Sequence, residues 1–315
     1  MTKSKLDFLF VGYPKSGSTT FYSLLKSHPE IIMPDIKEIN FFNTDHNRES
    51  GERLGTNHFQ LAESENGYLH YFENAIDKIK GDVNPSYIFS TEAPQNIFKH
   101  NPATKILISL REPVSFLRSY HFQSLYNMVE DEPDFLRALS LEKNRRAGRN
   151  VPRHCHNHYQ VYYSFLIAYK KHIKHFTDIL GFDNVKVLLF DDIIKDEDKV
   201  YRDILRFLDA RELDFIPSKV DRNPSHALRF TWLREIFFSP PVKKWFYTKL
   251  PQKLLPIGAR LSKVIFKKKQ EKPFVSKTDI DRLKKQFMPN VLELNSFLNE
   301  SGLLNRDLLS LWDYK

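Results

Sequence analysis

The chain has 315 residues, of which 41% are hydrophobic and 28% charged. This apolar content excludes a disordered chain, and 10 Gly with 17 Pro exclude collagen-like and low-complexity sequences. The apolar runs are far shorter than the about 20 residues that a membrane-spanning helix needs, and little sequence precedes the first strand-like run, so we expect neither a transmembrane helix nor a signal peptide. The single cysteine, Cys155, predicts a reducing compartment, so we expect a cytoplasmic location.

The net charge of +9 is concentrated late in the chain. Residues 241–290 contain 14 Lys and Arg but only three Asp and Glu, which gives this segment a charge of +11. Such a segment attracts nucleic acid, anionic lipid, acidic polysaccharide or a polyphosphorylated cofactor, or it is simply the solvated face of a helix. No RNA- or DNA-binding motif accompanies the charge, so we expect no nucleic acid partner.

The first elements form half of a βαβ unit. Residues 6–11 (LDFLFV) are an apolar run typical of a strand buried on both faces. A loop of Gly, Pro and small polar residues follows at 12–20, and Phe21, Leu24 and Leu25 then have the spacing of a helix.

Later strands and helices continue this alternation. Residues 105–110 (KILISL) and 185–190 (VKVLLF) predict two further buried strands. Pro113 suits the first turn of the helix that follows the first of these strands. Alternating strands and helices predict an α/β domain with a parallel sheet. Helical patterns cover residues 114 to about 128, 161 to about 180, 200–208 and 279–298.

Residues 217–275 have a different composition from the rest of this single predicted domain, 1–315. Seven of the 17 Pro lie there, together with clustered aromatic residues. The pattern predicts a basic, aromatic-rich helical insertion or lid. Residues 230–270 are also suited to peripheral contact with an anionic membrane, at the inner face if the protein is cytoplasmic.

The loop at 12–20 is suited to binding phosphate. Backbone N–H groups at a helix N-terminus point towards an anion, and Lys15 adds a positive charge. Gly12 and Gly17 have the spacing of the Walker motif, but Ser18 stands where that motif has its Lys. A nucleotide triphosphatase is therefore disfavoured.

Several blocks of the chain resemble sulfotransferases that use 3′-phosphoadenosine 5′-phosphosulfate (PAPS), and among these the heparan-type carbohydrate sulfotransferases. The resemblance runs from about residue 8 to 208 and resumes weakly from 273 to 313. Its blocks are YPKSGSTT at 13–20, LKSHPEI at 25–31, KEINFF at 37–42, NPSY at 84–87, LISLREP at 107–113 followed by Ser119, and Tyr162, Leu166 and Tyr169 in a family spacing. The resemblance implies a P-loop-like three-layer sandwich, in which helices cover both faces of a central parallel sheet.

The resemblance also implies roles for individual residues. Lys15 would stabilise the leaving 5′-phosphate, and Glu38 would be the general base. Arg111 and Ser119 would hold the 3′-phosphate, which suits the bidentate guanidinium of Arg. The remaining residues that we expect to bind the cofactor are Ser16, Gly17, Ser18, Thr19, Thr20, Tyr162 and Lys268.

The chain departs from the family pattern at two places. Many carbohydrate sulfotransferases have a Lys immediately before the segment that matches Asn84–Tyr87, and here that position is Val83. In the late basic loop, Lys268 aligns with the family Lys but Lys269 replaces the family Gly. Despite this change, we expect a cofactor contact from Lys267, Lys268 or Lys269.

The segment HCHNH at 154–158 has the appearance of a metal site. On a strand, its three His would share one face. No nearby carboxylate or second Cys completes a zinc-binding set, and sulfuryl transfer needs no metal. We therefore expect a polar loop beside the acceptor cleft, and no metal.

These patterns together predict an enzyme that transfers a sulfo group from PAPS, with 3′-phosphoadenosine 5′-phosphate (PAP) as product. The expected acceptor is a hydroxyl or amine of a carbohydrate or lipid-linked glycan, and an anionic acceptor is one option. A P-loop-like nucleotide-dependent kinase, or a sulfotransferase of a small non-carbohydrate acceptor, is the alternative.

Overall fold

The computed structural model describes residues 5–55, 60–73, 77–213, 226–228, 267–269 and 275–314. Within these ranges the centre of the molecule is a five-stranded parallel sheet with strand order β2-β3-β1-β4-β5. Its strands are β1 (Phe8–Gly12), β2 (Ile31–Ile32), β3 (Ile79–Val83), β4 (Lys105–Leu110) and β5 (Val185–Leu189).

Helices connect the strands and cover the sheet. Short 3₁₀ turns at His70–Phe72, Tyr87–Phe89, His158–Val161 and Phe182–Asn184 supplement them. The α-helices are α1 (Ser18–Lys26), α2 (Thr44–Leu54), α3 (Glu65–Leu69), α4 (Ala93–His100), α5 (Pro113–Tyr126), α6 (Phe135–Ser140), α7 (Glu142–Arg146), α8 (Tyr163–Leu166), α9 (Tyr169–Leu180), α10 (Phe190–Lys195), α11 (Glu197–Phe207), α12 (Lys277–Glu300) and α13 (Leu308–Leu311).

The sheet separates two apolar layers, as the alternation of side chains along β1 shows. Leu9 and Val11 pack into the layer that contains residues of α4, α5, α9 and α12. Phe8 and Phe10 point to the opposite face and pack with residues of α1 and α11. Because β1 is buried on both faces, its sequence is continuously apolar. The predicted three-layer α/β architecture is therefore confirmed.

The sheet brings a small set of loops together at one edge. The loops after β1, β3 and β4 all leave from carboxyl ends of strands, which lie at the same edge of a parallel sheet. Between β1 and β4 the chain changes direction across the sheet, and crevices at such positions are the usual ligand sites of open α/β sheets.

Most predicted elements are observed, with small shifts at their ends. The strand predicted at 6–11 spans Phe8–Gly12, and the one at 185–190 ends at Leu189. Pro113 is the first residue of α5, as expected. The single helix predicted over 161–180 is wrong, because the backbone leaves the helical conformation at Ala168 (φ −74°, ψ 52°). Apolar spacing continues across that break, so the sequence pattern did not indicate it.

The predicted insertion at 217–275 lies outside the described residues, except for two short strands. β6 (His226–Leu228) pairs antiparallel with β7 (Lys267–Lys269), and β6 lies beside α5. In the part of the chain that the structure describes, no helix has the length and apolar character needed to cross a bilayer.

Candidate active site

A cavity of about 870 Å³ opens where β1 and β4 end. Lys15 and residues 17–20, from the loop after β1, line one side of it. Glu38 lines it from the loop after β2, and Arg111 and Ser119 line it from β4 and α5. The structure thus brings together most of the site residues that the sequence suggested.

The loop after β1 is held in a conformation that opens towards the cavity. Lys15 and Gly17 both have positive φ, 64° and 95°, and α1 begins directly afterwards at Ser18. The carbonyl of Ser16 accepts a 2.6 Å hydrogen bond from Ser109 Oγ on β4, which fixes the loop to the sheet. Ser16 itself is fully buried, and its Oγ has no hydrogen-bond partner.

Lys15 extends into the cavity beside other positive charges. Its Nζ donates to Gln123 Oε1 on α5, at 3.3 Å. Burial, followed by the positive charges of Arg111 and Lys37, lowers the pKa of Lys15. A cation whose pKa is lowered in this way gains interaction energy when an anion binds next to it.

Arg111 lies beside Lys15 instead of pairing with its neighbour Glu112. Its Nη1 donates to the backbone carbonyl of Lys15 at 3.0 Å, and its guanidinium stacks over the Phe190 ring at 4.6 Å. Burial lowers the pKa of Arg111. Tyr169 holds the backbone in place by donating from its hydroxyl to the Arg111 carbonyl at 2.9 Å.

Glu112 has a structural task at the start of α5. Its carboxylate accepts hydrogen bonds from Val114 N and Ser115 N, at 2.8 and 2.7 Å, and so caps the helix that carries Ser119. The Tyr314 hydroxyl donates to the same carboxylate at 2.7 Å. Trp312 Nε1 donates to Asp191 at 3.1 Å. The C-terminal residues therefore brace the end of the cavity where Arg111 lies.

Lys37 is a cavity residue that the sequence interpretation did not include. Its Nζ donates to Thr19 Oγ1 at 3.2 Å. This contact brings a second Lys to the loop at residues 12–20, which we call the phosphate loop. Burial lowers the pKa of Lys37. The signal was present in the sequence, because Lys37 directly precedes Glu38 in the block KEINFF.

Glu38 lies in the wall of the same cavity with its side chain open to cavity solvent. The surrounding protein reduces the hydration of the carboxylate and raises its pKa, while Lys37 acts in the opposite direction. Its neighbours Ile39 and Phe42 are buried in the hydrophobic core.

Asp82 is a second carboxyl group close to Glu38. It is 1% exposed, and it accepts hydrogen bonds from Tyr68 Oη at 3.2 Å and from Val83 N at 2.7 Å. Burial raises the pKa of Asp82 to about 7, and the charge of Glu38 contributes to the rise. The charge state of Glu38 therefore affects the titration of Asp82.

The other wall of the cavity combines aromatic and neutral polar side chains. Phe89 and Tyr159 pack with ring centroids 5.1 Å apart, and Ser86, Gln160 and Asn127 add polar groups. The sequence interpretation did not single out these five residues, which come from three separate segments. Val83, at the position of the family Lys, is fully buried in the apolar layer beside α1.

Two of the residues that the sequence suggested for the cofactor do not line this cavity, and the side chain of a third lies outside the description. Ser16 is fully buried and is not a lining residue. Tyr162 is not a lining residue, because its ring packs against the Arg146 guanidinium at 4.5 Å and its hydroxyl faces the Arg145 carbonyl. Lys268 belongs to β7, where only the backbone pairing with Ala227 is described.

Residues 154–158 form a loop that leads into a 3₁₀ turn, not the strand face considered from the sequence. His158 Nδ1 bonds to Glu49 and its Nε2 lies 2.5 Å from Arg53 Nη1, which ties the loop to α2. Over the described ranges, no group of three or more His, Cys, Asp or Glu residues is placed to hold a metal ion.

Comparison with known proteins identifies the class to which this fold and site belong. The family model described as the sulfotransferase domain matches residues 5–227, well over half of the chain. The chain therefore belongs to the sulfotransferase family. The crystal structure of a sulfotransferase from Alicyclobacillus acidocaldarius has the same fold, with a TM-score of 0.65, 23% identity, and coverage of 98% of this chain and 99% of the other.

Curated relatives match a shorter stretch. The membrane-associated sulfotransferase kil1 of Dictyostelium discoideum is 31% identical over 117 residues, which cover 37% of this chain and 22% of that protein. Heparan sulfate glucosamine 3-O-sulfotransferase 5 of Mus musculus is 26% identical over 117 residues, which cover 37% of this chain and 30% of the relative. The match thus spans less than a third of either relative, and heparan-type enzymes are among the chain's relatives, as its motifs indicated.

We predict that Asp82 makes stability depend on pH. Its folded-state pKa of about 7 lies above the usual value of about 4 for an unfolded Asp. Between these values the folded protein binds more protons than the unfolded chain, so stability should decrease as pH rises, by up to about 1.4 kcal/mol per pH unit. Urea unfolding near pH 5 and near pH 7.5 should show a smaller decrease for Asp82→Asn than for the original protein. Equal decreases would contradict the assignment.

Proposed function

We propose that the protein transfers a sulfo group from PAPS to a hydroxyl or amine of a carbohydrate or glycolipid acceptor. The observation that carries this proposal is the convergence of Lys15, Lys37 and Arg111 on one cavity that also contains Glu38. Membership of the sulfotransferase family supports the type of transfer. Such a cavity offers positive charge for a polyanionic donor and a carboxylate for the proton of an acceptor.

The residues present fit the donor. The cations are partly desolvated, and the charges of Arg111 and Lys37 lower the pKa of Lys15, so an anion would relieve an existing electrostatic cost. The N-terminus of α1 opens at the cavity next to Thr19 and Thr20, and it offers backbone N–H groups to a 5′-phosphate. Arg111 directly follows β4 and Ser119 lies within α5, and the two residues would hold the 3′-phosphate.

The transfer requires charge stabilisation at the leaving oxygen and a base for the acceptor. The acceptor oxygen or nitrogen forms a bond to sulfur while the bond from sulfur to the 5′-phosphate oxygen breaks, and the electron pair of that bond remains on the phosphate. Lys15 and Lys37 would stabilise this developing charge. Glu38 would take the proton that the acceptor loses, which its raised pKa favours.

The acceptor is proposed on the basis of the aromatic and neutral polar part of the cavity lining. Phe89 and Tyr159 present aromatic surface there, and Ser86, Gln160 and Asn127 present hydrogen-bonding groups, a combination suited to the apolar face and hydroxyl groups of a sugar. The name of the mouse relative points to a glucosamine-containing acceptor in that protein. A cytoplasmic location and membrane contact through residues 230–270 are further proposals. Within that segment the structure describes only residues 267–269.

The choice of donor is tested by calorimetry with PAP and with ATP. We expect PAP to bind more tightly, and Arg111→Ala to weaken PAP binding by roughly 2–4 kcal/mol, because one charged partner of a phosphate is lost. Arg137→Ala is a matched control, because Arg137 lies on α6 outside the cavity lining and pairs with Glu132. Preference for ATP would favour a kinase and remove the proposal.

The role of Lys15 is tested by turnover. Lys15→Ala should lower sulfo transfer from ³⁵S-labelled PAPS by about 100-fold or more, because a preorganised cation at the leaving oxygen is lost. Lys174→Ala should retain turnover, since Lys174 is exposed on α9 and pairs with Asp178. Near-normal turnover of Lys15→Ala would show that another group stabilises the leaving phosphate.

The role of Glu38 is tested by a substitution that preserves shape. Glu38→Gln should retain PAP affinity but lose transfer, and the acid limb of the pH–rate profile should disappear, because the ionised carboxylate is the active form. In the original protein that limb should lie above the usual pKa of a Glu. Asp82→Asn distinguishes the role of Asp82 from that of Glu38. It should shift the acid limb of the pH–rate profile without abolishing transfer. Unchanged turnover of Glu38→Gln would reject the base assignment.

A further inference from the structure

The loop that carries Glu38 is held in an unusual backbone conformation. Glu38 and Asn40 both have left-handed φ values, 63° and 57°, although neither is Gly. A left-handed backbone conformation is unfavourable for residues other than Gly. Two such residues within three positions persist only where the surroundings hold them. Asn tolerates this conformation better than most residues, but Glu does not, so Glu38 requires an external restraint.

Asn40 provides contacts that restrain Glu38. Asn40 Nδ2 donates to the backbone carbonyl of Glu38 at 2.8 Å. On its other side, Asn40 Oδ1 accepts hydrogen bonds from Asn84 Nδ2 at 3.0 Å and from Ser86 Oγ at 3.3 Å. The backbone carbonyl of Asn40 accepts a 2.6 Å bond from Asn47 Nδ2 on α2. The side-chain amide thus connects the Glu38 backbone to a second loop of the cavity.

That second loop is firmly fixed to the sheet. Asn84 is fully buried, and its backbone N–H donates to the Phe10 carbonyl of β1 at 2.9 Å. Ser86 Oγ also donates to Asn84 Oδ1, at 2.6 Å. Tyr87 accepts hydrogen bonds at its hydroxyl from Phe41 N and Phe42 N, at 2.9 and 3.3 Å. The Glu38 loop is therefore anchored to the scaffold on both sides of Asn40.

We infer that Asn40 is a positioning residue for the base, holding the backbone of Glu38 so that the carboxylate stays in the cavity wall beside Lys37 and the phosphate loop. This inference rests on the proposed function of Glu38. Asn40 need not touch donor or acceptor, because its effect passes through the Glu38 carbonyl. A misplaced reacting group lowers turnover steeply even when binding is preserved.

The test compares two substitutions that remove the amide. Asn40→Gly keeps the left-handed backbone accessible, whereas Asn40→Ala also strains it. Transfer is measured with ³⁵S-labelled PAPS on a panel of neutral oligosaccharides, heparosan oligosaccharides and glycolipids, and donor affinity by PAP calorimetry. We expect Asn40→Gly to lower turnover by about 10- to 100-fold, with PAP affinity within about twofold. In a Glu38→Gln background, Asn40→Gly should cause no further loss, because the residue acts through Glu38.

A second measurement needs no acceptor. The carboxyl ¹³C resonance of Glu38, assigned by its disappearance in Glu38→Gln, should titrate nearer to the usual Glu pKa in Asn40→Gly, because a released loop lets the carboxylate reach more water. The charged groups that act on this titration are Lys37 on the same loop and Asp82 on β3. Asn150→Ala is the matched control, because Asn150 is an exposed left-handed Asn outside the cavity lining.

The outcomes separate the inference from the proposed function. Normal turnover together with an unchanged Glu38 titration in Asn40→Gly overturns the inference. The inference is also overturned if turnover falls only in Asn40→Ala and the loss of turnover follows the loss of stability, because a merely structural residue would behave in that way. If Glu38→Gln retains full transfer, the proposed base is wrong, and the titration alone then decides whether Asn40 positions Glu38.

Discussion

Arg111 and Lys15 are held next to each other although both carry positive charge, and the remaining features of the site follow from this contact. The arrangement is possible because the Arg111 guanidinium donates to the Lys15 carbonyl and stacks on Phe190, which partly replaces the hydration lost by burial. Lys37 increases the local excess of positive charge from a second loop. The site is therefore electrostatically unfavourable when empty, and a multiply charged anion provides the missing counter-charge.

Two carboxyl groups lie close to these cations. Glu38 lines the cavity and Asp82 is buried on β3, and both have raised pKa values that the charge of Lys37 acts to lower. Lys37 thus adds positive charge beside the loop after β1 and also limits how far the pKa of Glu38 rises. Substitution of Lys37 would consequently change the charge at that loop and the titration of Glu38 together.

The sequence predicts the centre of this fold well, because β1, β4 and β5 are mainly apolar runs whose residues are mostly buried on both faces. It does not reveal β3, whose residues Lys80 and Asp82 interrupt the apolar pattern and whose Gly81 is required by the close approach of Phe8. The phosphate loop is recognisable because its residues are contiguous. The aromatic and polar part of the cavity lining is not recognisable in the sequence, because Ser86, Phe89 and Tyr159 meet only after the strands and helices have packed. The restraint on Glu38 by Asn40 has no sequence signal either, since it depends on φ values and on hydrogen bonds to the segment that follows β3.

The bracing of Glu112 by Tyr314 has a consequence for how the protein matures. This hydrogen bond joins residues 202 positions apart, and the one between Trp312 and Asp191 joins residues 121 positions apart. Contacts of such long sequence separation form late in folding, because the intervening chain must be ordered first. During synthesis the central strands can assemble while residues 312–314 are still inside the ribosome. The Arg111 end of the cavity is completed only when residue 314 has emerged, so a nascent chain acquires its sheet before it acquires a finished site.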